Sequence, residues 1–296
     1  EVIARNGSGS SRVIIKDSHL NIVLVEKNGR QIFSKDSKGA GADKPSLRDK
    51  IKEFTIRDFK DFVDNISYEK IKFIEDGISM NEKMGEIGLK LNLGIGIGHL
   101  FNDNSNVEQY AKAITSAASE ARMSGYPLPV MSSAGSGNQG LGVILPIAVV
   151  AEEENIGREK LIRAVFYGHL LNKFVKVYTG KLTAICGCAI AAGIGATSSI
   201  AWMLGGNDKQ IEGAAQNMFA NLAGILCDGA KETCALKLST SAGEAVLSAY
   251  LACDDVIAKY NTGILGGTIE ETIRNIGTLC KKGFSGTDEV IVGIIG

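Results

Sequence analysis

Net charge, aromatic side chains and cysteine are each scarce over much of this chain. Lys and Arg number 32 against 33 Asp and Glu, leaving a net charge of −1. No long-range field recruits nucleic acid or an acidic lipid surface, so neither is expected as a partner. Aromatics are only 6% of the 296 residues, whereas glycine contributes 36. A chain of this kind packs through small residues and close backbone approach rather than through large aromatic plugs. Cysteine is missing before Cys186; Cys188, Cys227, Cys234, Cys253 and Cys280 then follow. A secreted disulfide framework spreads its cysteines through a short, loop-rich chain. These sit in apolar, helix-like sequence, and no signal-peptide pattern opens the chain. Reduced thiols in a cytoplasmic protein are expected, with metal ligation as the sharper reading. The chain starts at Glu1 rather than Met, which reads as a fragment of a longer protein.

What is present is ordinary globular composition, 45% hydrophobic and 22% charged, sufficient for one large domain or two. Residues 1–67 read as a small α/β module. Val13–Ile15 is a β-branched run. Ile22–Val25 and Ile32–Phe33 are the arms of a hairpin, and Asn28-Gly29 between them suits a type I′ turn. Thr55 is a helix cap ahead of Ile56, Phe59, Phe62 and Val63, apolar at helical spacing. Residues 68–296 read as almost wholly helical. Ile71, Ile74 and Ile78 share a face, Val107 to Arg122 is Ala-rich helix, and later helices start near Arg158, Asp208, Ser241 and Thr268. Thr268 with Glu271 is a capping-box signal. The expected class is α+β: the small module, then a large, mostly α-helical domain with buried small-residue central helices.

Two stretches carry no charge, Met123–Ala151 and Leu182–Asn207. Each is long enough to cross a bilayer if wholly helical. The first contains "PLPVMSSAGSGNQG", whose polar groups are costly in lipid. The second is Ala, Gly, Ser and Thr with little lipid-facing bulk. Buried central helices are the expectation, and no membrane.

Within the first stretch, "MSSAGSGNQG" (Met131–Gly140) concentrates hydrogen-bonding groups between apolar flanks. Leu141 to Val150 then reads as a helix, interrupted early by Pro146. A Gly-rich loop that feeds a helix N-terminus can cradle a carboxylate or phosphate. No "GK[ST]" follows, so it is not a P-loop. A purely structural turn is the competing reading. Among the cysteines, Cys186 and Cys188 form C-x-C, and Cys227 and Cys234 form C-x6-C. Neither spacing matches a zinc knuckle or a ferredoxin signature. An iron–sulfur cluster needs only thiolates that converge in space, so cluster ligands and free buried thiols both remain open on spacing.

"VMSSAGSGNQG", "CGCAIAAGIGATSSIAWMLGG" and "ILCDGAKETCALK", in that order, resemble the L-cysteine desulfidase family, which is related to the α chain of iron–sulfur L-serine dehydratases. The resemblance covers roughly residues 68–290, and "HLNIVLVEKNG" also resembles the small α/β insert of those proteins. It implies an oxygen-sensitive 4Fe–4S cluster, no pyridoxal phosphate, and β-elimination from a small amino acid. L-cysteine would give pyruvate, ammonia and sulfide; L-serine would give pyruvate and ammonia. An iron left open by three protein ligands would take the substrate carboxylate and the leaving group. Both ends of the elimination need help, because a Cα–H is a weak acid and sulfide or hydroxide leaves poorly.

Carried over by position, the resemblance implies Cys188, Cys227 and Cys234 as cluster ligands, with Cys186 the rival for the first place. The loop is expected to bind substrate through Ser133, Ser136, Gly137 and Asn138, lining one cavity with the cysteines. Cys253 and Cys280 have no motif support. His99, His169, Lys181 and Lys231 are weaker candidates, each more simply read as packed or solvated. The family's upstream Cys-Thr-Glu-Pro-like segment has no counterpart here, which implies that a catalytic base or a ligand lies outside this chain. A small amino acid is the expected partner, and a homodimer is compatible with the sequence.

Overall fold

The structure is a computed structural model that describes residues 1–16, 21–35, 47–101, 106–180 and 183–296. Four strands open the chain: β1 (Val2–Asn6), β2 (Gly9–Ile15), β3 (Ile22–Lys27) and β4 (Arg30–Ser34). They form one antiparallel meander in sequence order. The expected tight turn joins β3 to β4: Lys27 faces Arg30, and Asn28 and Gly29 adopt φ of 51° and 75°. A two-residue loop with positive φ twice matches the right-handed twist of its strands. Asn28 also reaches across the sheet, where its Oδ1 accepts the N–H of Ser10 at 2.7 Å. Strand β1 includes the β-branched Val2 and Ile3, yet all five of its residues are exposed.

The helices are α1 (Leu47–Ile51), α2 (Ile56–Asn65), α3 (Tyr68–Ile71), α4 (Ile74–Leu91), α5 (Ile97–Leu100), α6 (Val107–Met123) and α7 (Gly137–Glu153). They continue as α8 (Arg158–Thr179), α9 (Ala191–Met203), α10 (Asp208–Leu222), α11 (Cys234–Cys253), α12 (Ile269–Thr278) and α13 (Thr287–Ile295). A single π turn, Leu279–Gly283, extends α12. The chain divides into two units, Glu1–Leu47 and Arg48–Gly296. Helix α2, grouped with the sheet in the sequence reading, lies in the second. Its Thr55 capping box with Asp58 fixes its start. Its buried face, Ile56, Phe59 and Val63, then packs inward, with the Phe59 ring 5.3 Å from that of Phe174 on α8.

The two uncharged stretches supply α7 and α9, and these are the centre of the helical unit. Every residue of α7 from Gly137 to Ala151 is buried, as is every residue of α9 except Trp202. No described helix is long and apolar enough to cross a membrane. Small residues allow the close approach that composition implied. A Cβ on Gly195 of α9 would sit 3.2 Å from the carbonyl carbon of Gly168 on α8, so the two backbones touch where the helices cross.

Two boundaries and one cap differ from expectation. Helix α7 starts at Gly137 and runs unbroken through Pro146 to Glu153. One hydrogen bond lost to proline is outweighed by a helix buried on all sides. Helix α11 starts at Cys234 rather than near Ser241, whose hydroxyl is no cap but donates to the carbonyl of Ala189 at 2.9 Å. Thr268 does cap Glu271 N–H, yet the Glu271 carboxylate accepts from Gly267 instead of closing the box on Thr268.

Candidate functional site

The loop before α7 is anchored from below by a buried amide. Asn81 on α4 is fully buried; its Oδ1 accepts Met131 N–H at 2.8 Å and its Nδ2 donates to Met131 C=O at 3.3 Å. Truncation would orphan two buried backbone groups. Asn81→Ala is therefore expected to lower the unfolding free energy by about 3 kcal/mol in urea titration. Beyond Met131 the chain reverses in two residues. Ser133 and Ser136 exchange both backbone hydrogen bonds at 3.0 Å, and Ala134 and Gly135 turn between them at φ of 49° and 87°. Ala134 holds a left-handed conformation that disfavours a Cβ, so the loop stores local strain next to α7.

Ser133, Ser136 and Asn138 are already engaged through their side chains. Ser133, 2% exposed, accepts a hydrogen bond from Asn172 Nδ2 at 2.7 Å, and its Oγ lies 2.8 Å from His169 Nδ1. Both partners are on α8. Ser136 Oγ accepts the N–H of Gln139 at 3.3 Å and caps α7. Asn138 Oδ1 accepts from Arg122 Nη1 at 2.9 Å, at the end of α6. Gln139, on the same first turn, is buried, and its Oε1 has no partner. Its amide faces the cysteine loop, since Nε2 lies 2.7 Å from where a Cβ on Gly187 would be.

Burial holds the His169 imidazole below its ordinary range, at about 4. The sign follows directly. The unfolded chain takes up this proton at a higher pH than the native state does, so the contribution to stability is complete above about pH 6.5 and is lost as pH falls toward 4. At most about 3 kcal/mol is at stake. Urea midpoints at pH 7 and pH 4.5 should therefore differ more for the native protein than for His169→Gln.

The thiols are gathered by a short antiparallel bridge. Ile185 pairs with Leu226, Cys186 N–H donates to Ile225 C=O at 2.8 Å, and Cys227 N–H donates to Ala184 C=O at 2.7 Å. Cys186 and Cys188 share a hydrogen bond that makes one thiol of the pair easier and the other harder to deprotonate; Cys234 and Cys227 lie within electrostatic range of Cys188. Cys234 is the first residue of α11, at its positive end. Below them sits the buried Lys176 of α8, its ammonium 3.3 Å from the Cβ position on Gly187. Burial lowers its pKa, whereas Cys188, Cys227, Cys280 and Cys186 nearby raise it. Helix α7 completes the wall: a Cβ on Gly142 would lie 3.7 Å from the Cys188 carbonyl oxygen.

The bridge thus brings the C-x-C and C-x6-C segments together, and Gly187 of the first lies against the first turn of α7. No three described His, Cys, Asp or Glu side chains converge closely enough to hold a metal ion. Cys280, which has no motif, also lies near Lys176, whereas Cys253 rests 4.0 Å from the carbonyl of Ala201. His99 is exposed on α5. Lys231 pairs with Asp228, which also receives Lys237 at 2.6 Å; the two ammonium groups pull the Asp228 carboxyl down to about 2. Lys181 lies outside the described residues. Sequence reasoning missed Lys176, Asn172 and Arg122. The first two carried a signal: His169, Asn172 and Lys176 recur at i, i+3 and i+7, so they share one face of α8. Arg122 carried none, because only the folded chain brings it to Gly137.

The serine dehydratase alpha chain family matches residues 22–293. A UPF0597 protein of Clostridium botulinum is 52% identical over 291 residues, 95% of this chain and 66% of the relative. One from Clostridium tetani is 48% identical over 296 residues, 100% of this chain and 70% of the relative. One from Clostridioides difficile is 40% identical over 307 residues, covering 100% and 71%. The chain spans about two thirds, 66%, of the length of the first of these. No solved structure matches. Match length and identity together establish that the chain belongs to the serine dehydratase alpha chain family, alongside the UPF0597 proteins.

Proposed function

We propose that the protein carrying this chain is an iron–sulfur-dependent lyase that eliminates the β-substituent of a small amino acid, L-cysteine or L-serine. The observation that supports this best is the bridge from Ile185 to Leu226, which brings the C-x-C and C-x6-C loops to the first turn of α7. The donor types suit a 4Fe–4S group: the bridged segments carry thiols, and the carboxylate among them, Asp228, is occupied by two lysines. Cys188, Cys227 and Cys234 would hold it, with Cys186 the competitor for the first position. When bound, such a group supplies a Lewis acid for the leaving thiolate or hydroxide.

The chain's own residues supply the rest. The first turn of α7 offers oriented N–H groups to an anion. Lys176 places a buried cation beside the thiols and offsets the negative charge that gathers there. The buried wall of α7 and α9 excludes water from a reaction whose intermediate, an aminoacrylate, must form before it hydrolyses. His169 orients Ser133, and burial lowers the proton affinity of its imidazole.

The lack of three converging ligands among the described residues favours a second reading, a non-catalytic amino-acid-binding homologue. Anaerobic iron and sulfide reconstitution of the parent protein separates the two. A lyase releases pyruvate, ammonia and sulfide from L-cysteine, or pyruvate and ammonia without sulfide from L-serine. Binding without release of any product identifies the homologue.

A further inference from the structure

We propose that the apolar side of the small sheet is the seat of the part of the parent protein that lies beyond this chain, and that this part covers it with apolar side chains of its own. The proposal does not depend on the lyase reading.

The strand register sorts the side chains. Val2 faces Val13, Val13 faces Val25 and Val25 faces Phe33, so one apolar row crosses all four strands on a single side. The neighbouring row, on the opposite side, is Ile3, Arg12, Glu26 and Gln31, where Arg12 pairs with Glu1 and Glu26. An antiparallel sheet patterned in this way turns its polar side to water and its apolar side to a packed layer. Yet Val2 and Phe33 are 64% and 45% exposed, and no described residue of the four strands is buried. Strands without one buried side chain have no core of their own, so the stability of this sheet comes from what covers it.

Size decides the occupant. Four strands about 4.8 Å apart, each about five residues long, present roughly 300 Å² on one side. A stable contact between separate molecules buries about 800 Å² on each. The sheet is too small to hold a second copy by this side alone. It is large enough for a segment of the same polypeptide, because tethering supplies the effective concentration that area would otherwise provide. The relatives possess such a segment: the match covers 66% of the Clostridium botulinum protein and leaves about a third of its length outside.

Charge narrows the chemistry of that segment. Next along the apolar side run Ala4, Ser11, Lys27 and Arg30. Neither Lys27 nor Arg30 forms an ion pair among the described residues. A complementary segment is aliphatic over the valine row and acidic beside it.

The test is photocrosslinking of the parent protein with p-benzoylphenylalanine in place of Phe33, in an equal mixture of isotope-labelled and unlabelled chains. The expected product is a crosslink within one polypeptide, to a peptide outside these 296 residues. The same probe in place of Gln31, on the opposite side, should give roughly tenfold less of it. A crosslink that joins labelled to unlabelled chains would make the occupant a second copy and overturn the proposal. A crosslink to residues 48–296, none at all, or equal yields from the two probes would overturn it too. Hydroxyl-radical footprinting provides a check without any substitution. Phe33 of the native parent protein should react roughly tenfold more slowly than in the urea-unfolded protein. A ratio near the roughly twofold that 45% exposure gives would also overturn the assignment.

Discussion

Serine in place of Cys227 is expected to abolish reconstituted iron absorbance and lyase activity together, to background, while leaving the thermal midpoint nearly unchanged. The backbone explains the second half of that result. Cys227 is fixed by its own N–H on the Ala184 carbonyl, not by its sulfur, so a hydroxyl of similar size leaves the bridge intact. Iron loss then reports on ligand chemistry rather than on folding, because a neutral hydroxyl is a poor substitute for a thiolate on iron. Cys188→Ser and Cys234→Ser should behave alike. Cys253→Ser, at the far end of α11 on the Ala201 carbonyl, should retain both signals. Cys186→Ser decides between the two cysteines of the C-x-C pair. Iron retained in all three principal variants would remove the cluster from these residues.

Gly140→Ala should be the most destabilising single substitution near the site. A Cβ at Gly140 would meet the Met131 carbonyl group, with its carbon at 2.8 Å, and Ser132 Cα at 3.0 Å. These are backbone atoms, and the Met131 peptide is held on both sides by Asn81, so neither can yield by rotating a side chain. Overpacking of this kind costs about 3 kcal/mol or more. Gly224→Ala is the control, because nothing lies within 4 Å of its Cβ position. It should be neutral or slightly stabilising, since alanine restricts the unfolded chain. Comparable urea midpoints for the two variants would show that the loop moves aside, and that Asn81 does not hold it.

Local signals carried what was legible in advance. The Asn28-Gly29 turn, the Thr55 cap, and the starts of α8 and α10 were readable because each depends on neighbours in sequence. The start of α11 was not. Ser241 looks like a cap, but its hydroxyl is bonded across helices to Ala189, a tertiary contact with no local trace. The site divides in the same way. The loop and the cysteines stand out by composition, but composition does not reveal that Ser133 is already held by His169 and Asn172. Arg122 is one basic residue in an ordinary amphipathic helix. Its meaning arises only where α6 ends beside the start of α7.

The bridge between Ile185 and Leu226 also sets an order of events. Its two halves are separated in the chain by α9 and α10, so the thiols cannot meet until that whole hairpin has formed and its ends have closed. Closing a loop of that length costs entropy before any contact rewards it, which makes this among the later pairings as the chain folds. During synthesis, Cys186 and Cys188 leave the ribosome well ahead of Cys227 and Cys234 and wait as an incomplete set. Assembly of the thiol site is therefore a step that follows folding of the helical unit and cannot nucleate it. On the proposed cluster reading, iron supplied to the nascent chain would meet only part of the ligand set, and iron supplied to the finished fold would meet all of it.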